Sequence, residues 1–292
     1  MTHGRAVATM VLVTLMWSIA GVVTRHLEAA RSFEVTFWRS AFVVLALVFM
    51  LPAVRGRAVF VRTMRQGGRT LWLSGVCWCV MFTAFMVAIT MTTVANVLVT
   101  MASAPLLTAL IARLFLGHRL ATRTWAAIAV AGIGIAWMYG HEVRGADARH
   151  LLGTLIALAV PIAAAVNWVL IQHAGPGVDV DLLPAVLIGA ALSALFTLPF
   201  AWPFTASAHD LRLLALLGVV QLAIPCLLAV AAARALSAPE ASLLALLEVI
   251  FGVAWVWLGA GEAPAVHVLF GGTLVLGALV TNEVVALRNA QH

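Results

Sequence analysis

The sequence predicts an all-α integral membrane protein whose ten transmembrane helices form two inverted five-helix repeats. Three observations lead there. Of 292 residues, 64% are hydrophobic and only 10% are charged, whereas a soluble domain carries about 25% charged residues. The apolar residues fall in long runs separated by short charged or turn-rich breaks. The two halves of the chain also share a weak similarity at a nearly constant offset.

About 20 apolar residues cross the hydrocarbon core as a helix. Cutting at the breaks gives spans at 6–24, 35–51, 71–90, 94–116, 124–139, 151–171, 182–201, 213–233, 239–258 and 266–287. The runs are continuous and lack the ten-residue alternation of barrel strands, and helices satisfy their own backbone groups in lipid. The first run, Ala6 to Thr24, is too long for a signal-peptide core and has no A-x-A site after it, so it reads as a retained helix. In the second, Arg39 lies about one turn inside and reads as an anchor snorkelling outward, as Arg113 does inward from the fourth. Only the triplet Met91-Thr92-Thr93 separates the third and fourth spans. Pro105 removes an N–H from the fourth, frees the carbonyl of Met101 and predicts a kink. The fifth span is short. The eighth repeats a polar residue near a proline in Gln221 and Pro225, and the ninth carries Glu248 at its centre.

Charge sets the direction. The net charge of +6 comes from 17 arginines with no lysine. With the N-terminus inside, 11 arginines fall on the inner side and 6 on the outer, so both termini are expected in the cytoplasm. Most of the excess comes from the loop holding Arg55, Arg57, Arg62, Arg65 and Arg69. No soluble basic domain exists to bind nucleic acid, so arginine at membrane edges is the simpler account. Cys77, Cys79 and Cys226 lie inside apolar runs and read as packing residues. His118, His173 and His209 sit at span ends without a carboxylate at ligand spacing, so no metal or other cofactor is expected.

The repeat divides the chain into 1–145 and 146–292. Pro105 to Gly117 has a counterpart 144 residues later, where Val249 replaces Pro105, Gly261 replaces Gly117 and Glu262 replaces His118. Ser18-Ile19-Ala20 matches Pro161-Ile162-Ala163 at offset 143, and Gly132 matches Gly277 at offset 145. Five spans per repeat invert the second half, which is the plan of many secondary transporters, with the substrate site between the halves near the midplane.

Taken together, Trp17-Ser18, Phe37 to Ser40, the Pro105-to-Gly117 element, Leu247-Glu248-Val249-Ile250 and Gly261-Glu262 resemble the drug/metabolite transporter superfamily, EamA type. Over Trp17, Ser18, Gly21 and Arg25 the chain looks most like the YddG-type amino-acid exporters. Two positions depart from the family pattern: Val249 stands where it has proline, and His118 where the first half has glutamate. The resemblance implies a central cavity, alternating access, and export of amino acids, aromatic ones included, or of other small amphipathic metabolites.

Polar residues at membrane depth are candidates for that cavity. Asn96, Thr100 and Ser103 share one face of the fourth helix. Cavity wall and interhelical hydrogen bonding are both open readings. Trp17, the i, i+4 pair Trp78 and Phe82, and Asn167-Trp168 supply aromatic and amide surface suited to an amphipathic ligand, with ordinary packing as the alternative. Gln221 and Glu248 complete the candidate set. Glu248 either meets a substrate amine or coupling proton, or is structural and hydrogen-bonded to a neighbour such as Gln221.

The expected function is a secondary transporter in the plasma membrane, the inner membrane of a bacterium. Other cargo classes, such as amines and nucleosides, remain alternatives. A channel would show charged rings or a carbonyl filter. An enzyme would show a motif such as H-E-x-x-H or G-x-S-x-G, and the chain has none. The expected partners are a small-molecule substrate and membrane lipid, with no nucleic acid and with a monomer as the working state.

Overall fold

The computed structural model describes residues 2–116, 121–142, 147–173, 183–233, 244–245 and 247–290; some side chains within these ranges, Pro105 and Trp168 among them, lie outside the description. Among the described residues all regular structure is helical. The elements are α1 (His3–Ser18), α2 (Ala20–Arg25), α3 (Ser32–Arg55), α4 (Arg57–Gln66), α5 (Gly68–Met91), α6 (Val94–Met101), α7 (Ala104–Leu116) and α8 (Thr122–Glu142). After them come α9 (Ala148–Ala157), α10 (Ala159–His173), α11 (Leu183–Ala201), α12 (Ala208–Leu216), a π-helical stretch (Leu217–Ala223), α13 (Ile224–Ala233), α14 (Leu247–Ala260) and α15 (Val266–Ala290). Six stretches are long and apolar enough to cross a membrane: His3–Arg25, Ser32–Arg55, Gly68–Met91, Ala148–Asn167, Leu183–Ala201 and Ala208–Ala229. Leu247–Ala260 and Val266–Asn282 are shorter apolar helices.

Prolines account for three interruptions. Pro105 cannot donate to Met101, and the helix breaks there, with α6 ending at Met101 and α7 starting at Ala104. Pro161 lies four residues after Ala157, where α9 ends. Pro225 lies four residues after Gln221, and the π-helical stretch absorbs the mismatch. The break between α1 and α2 has no proline. There Ser18 Oγ donates back to the carbonyl of Leu15 at 2.8 Å, competing with the helical ladder. The five-arginine loop expected after the second span is itself largely helical, as α4, and buries none of its residues.

The helices pack in a regular set of pairs. α1 lies against α13 and α14, and α10 against α5 and α7; α3 meets the π-helical stretch, and α11 meets α5. In addition α3 packs on α11, α6 on α14, and α8 on α15. The α8–α15 pair comes close because Gly134 has no side chain: a Cβ there would sit 2.8 Å from the carbonyl oxygen of Gly271. The largest core cluster includes Met86, Ile89, Leu98, Leu214, Leu217 and Val256.

Candidate functional site

The interior polar centre is built on Arg39. The sequence reading made it an outward-snorkelling anchor; the structure corrects this. Arg39 is 2% exposed and turned inward from α3. Its Nε and Nη2 both donate to Gln221 Oε1, at 3.3 and 3.0 Å. Gln221 Nε2 donates in turn to the carbonyl of Trp17 at 3.1 Å. The guanidinium carbon lies 5.6 Å from the ring centroid of Phe82 and 5.9 Å from that of Phe85. A weakly hydrated guanidinium gains from such ring faces once it is out of water. Trp78 extends the aromatic wall, 5.4 Å from Phe82 between centroids.

Glu248, in the first turn of α14, is half-buried. It attracts Arg39 electrostatically. The two form no direct ion pair, and Glu248 makes no hydrogen bond among the described residues. Gln221 is not its partner, because that amide is committed to Arg39 and Trp17. The arrangement thus holds two opposite charges apart in a low-dielectric interior, which is costly unless something polar lies between them. Beside it, the buried Trp17 Nε1 has no acceptor among the described residues, and Trp255 Nε1 donates to Ser18 Oγ at 3.1 Å.

The stripe on the fourth span belongs to a second cluster. Thr100 Oγ1 donates to the Asn96 carbonyl at 2.7 Å, and Ser103 Oγ to the Thr100 carbonyl at 2.6 Å. The Asn96 amide lies 3.3 Å from Thr92 Oγ1 and 3.4 Å from His150 Nε2. Thr92 Oγ1 also meets His150 Nε2 at 3.1 Å and Thr154 Oγ1 at 3.3 Å. Asn167 is buried on α10, and its Oδ1 accepts no hydrogen bond among the described residues. The side chain of Trp168 lies outside the described residues, as do Gly117 and His118.

Other groups, Arg25 and Glu262 among them, were not among the expected site residues. Arg25 Nε donates to Glu262 Oε2 at 2.6 Å, its Nη1 to the Ile89 carbonyl at 2.6 Å and its Nη2 to the Thr92 carbonyl at 2.9 Å. Glu262 Oε1 accepts the first N–H of α6, from Val94, at 2.9 Å. Its carboxylate therefore ion-pairs and caps a helix at once, and Gly261 at φ +67 turns the chain to place it. Ser40, Thr83 and Ser193 form a buried hydroxyl cluster joining α3, α5 and α11. The usable signals were an arginine at the end of the first apolar run and a Gly-Glu pair at a helix end.

With this geometry in hand, comparison with known proteins gives three findings. The model for "EamA-like transporter family" matches residues 4–140 and again 151–282. A curated protein described as "Pseudopaline exporter CntI", from Pseudomonas aeruginosa (strain UCBPP-PA14), is 25% identical over 279 residues, covering 92% of this chain and 93% of its own. A solved crystal structure aligns with TM-score 0.67 at 18% identity over 98% of each chain, a likeness of fold alone. The narrower likeness to the YddG-type exporters gains no support, since the curated relative exports a different cargo.

Proposed function

This chain belongs to the EamA-like transporter family, and from that premise we propose that it is a secondary transporter exporting small zwitterionic metabolites by alternating access. The observation that carries this is the separated charge pair: Arg39 for a substrate carboxylate, Glu248 for a substrate amine, and Phe82, Phe85 and Trp78 for an apolar flank. Amino acids, aromatic ones included, have that layout, and pseudopaline joins the candidate cargoes through the relative's name.

The helix pairing supports two inverted repeats, 1–145 and 146–292, across ten crossings. Exchanging the halves turns α1 on α13 into α10 on α5, α1 on α14 into α10 on α7, and α3 on the π-helical stretch into α11 on α5. The self-related pairs α3–α11, α6–α14 and α8–α15 lie where a two-fold axis would leave them. On this reading the chain lies in a bacterial inner membrane with both termini cytoplasmic.

The test is flux in proteoliposomes, using a labelled panel of amino acids, amines and pseudopaline, with and without a proton gradient. Saturable flux of at least one zwitterion, lost in Arg39→Gln, is expected. Saturable flux restricted to cargo without a carboxylate would overturn the assignment of Arg39. Non-saturable flux would point to a channel.

A further inference from the structure

A separate cavity of about 530 Å³ opens where α2 ends and α3 begins. Three arginines, Arg25, Arg31 and Arg149, line it together with hydroxyl residues that include Ser32 and Thr90, and among the described residues no acidic side chain does. Arg25 is already neutralised by Glu262 and tied to two carbonyls. Arg149 gives one N–H to the Thr90 carbonyl at 3.2 Å, which cancels none of its charge. Arg31 is exposed, has no partner among the described residues, and immediately precedes α3. No side chain caps that helix N-terminus, so its partial positive charge adds to the two guanidiniums. Thr90 Oγ1 lies 2.7 Å from Ser32 Oγ and 2.8 Å from the Val87 carbonyl oxygen, so the two hydroxyls form one hydrogen-bonded pair on the cavity wall. Two acids near this end are already occupied. Glu34 is saturated by Thr205 and Ala206, and Asp210 by the N–H groups of Glu28, Ala29 and Ala30.

We propose that this cavity is a binding site for a small polycarboxylate solute, with one carboxylate on Arg31 and another on Arg149. Guanidinium and carboxylate match in planar geometry as well as in charge. The volume lies within the usual range for small-ligand pockets. The cavity lies on the face that the arginine distribution assigns to the outside. This deepens the transport reading and rests on it: the site holds cargo bearing more than one carboxylate at the release face.

The test uses the full-length protein in phosphatidylcholine nanodiscs, titrated calorimetrically with propane-1,2,3-tricarboxylate and, as a control, acetate. Saturable binding of the tricarboxylate but not of acetate is expected. Affinity should fall roughly tenfold in Arg31→Gln and in Arg149→Gln, and about a hundredfold in the double variant. Thermal midpoints of all variants should match that of the parent, which separates loss of the site from loss of the fold. No binding, or binding unchanged in the double variant, would overturn the proposal. Displacement of the tricarboxylate by phosphatidylglycerol added to the nanodiscs would reassign the site to a lipid headgroup. Binding without flux of any substrate in proteoliposomes would leave the site standing and overturn the transport reading instead.

Discussion

Gln221 is the amide on which the interior polar centre turns, and replacing it tests that centre directly. Gln221→Leu preserves approximate size and removes both ends of the amide. Arg39 Nε and Nη2 lose their shared acceptor, and the Trp17 carbonyl loses a donor. Hydrogen bonds to charged groups contribute about 1.5–3 kcal/mol and neutral ones about 0.5–1.5 kcal/mol. The two Arg39 bonds end on one oxygen and the longer spans 3.3 Å, so they count together as one charged contact. The expected loss is therefore about 2–4.5 kcal/mol. The double variant Arg39→Met with Gln221→Leu removes the stranded cation as well. Replacing both partners of a buried polar pair by apolar groups is often near neutral, and Glu248, half-buried, is less stranded by the change. Thermal unfolding in detergent, read by a thiol-reactive dye, suits this chain, because Cys77 and Cys226 are buried until it unfolds. In a Cys79→Ser background, the double variant should melt above Gln221→Leu alone. If its loss equals the sum of the two single losses, Arg39 does not depend on that amide and the assignment is wrong.

Three further outcomes use the same assay. Glu262→Gln removes the ion pair to Arg25 and weakens the cap on α6; with both side chains about a quarter exposed, the expected cost is about 1–3 kcal/mol. Asp210 is fully buried and accepts backbone N–H groups of Glu28, Ala29, Ala30 and Ser207. Asp210→Ala should cost at least about 3 kcal/mol and expose the 26–31 turn to protease, with Asp210→Asn intermediate. Gly134→Leu drives a side chain into the Gly271 carbonyl at the α8–α15 contact; a loss of about 1–3 kcal/mol is expected, and an unchanged midpoint would refute the close approach.

The helices were legible because burial in lipid writes its requirement into every turn: long apolar runs, broken where charge or proline accumulates. The proline breaks at Met101 and Ala157 follow from a missing N–H, which sequence states outright. The site was legible only in part. Glu248, Gln221, Trp17 and Phe82 stood out as candidates because a polar or aromatic residue at depth is conspicuous. The direction of Arg39 was not, since a residue one turn from a span end reaches water or the interior equally well. What decides is the Gln221 oxygen on the π-helical stretch, 182 positions along the chain. The Asn96 stripe was visible, but its contact to His150 and its link through Thr92 to Thr154 were not, because nothing local links α6 to α9.

Glu248 poses the remaining mechanistic question. Its counterpart in the first half is Ala104, so the repeat places one carboxylate where exchange of the halves would call for two or none. A residue that served only packing would be under no pressure to be charged, and among the described residues it takes no hydrogen bond that would account for its charge. What it has is the field of Arg39. On the proposed function, the two charges balance while Glu248 is ionised, and an arriving zwitterion meets both. When it takes up a proton, the Arg39 charge stands alone and the amine loses its partner, so binding weakens and release is favoured. Transport of a zwitterion should then vary with pH in the parent protein. In Glu248→Gln, which keeps the shape and fixes the neutral state, flux should be low and nearly independent of pH. A Glu248→Gln variant that transports with the parent's rate and pH profile would leave the carboxylate no part in coupling. The separation from Arg39 would then be a matter of folding alone.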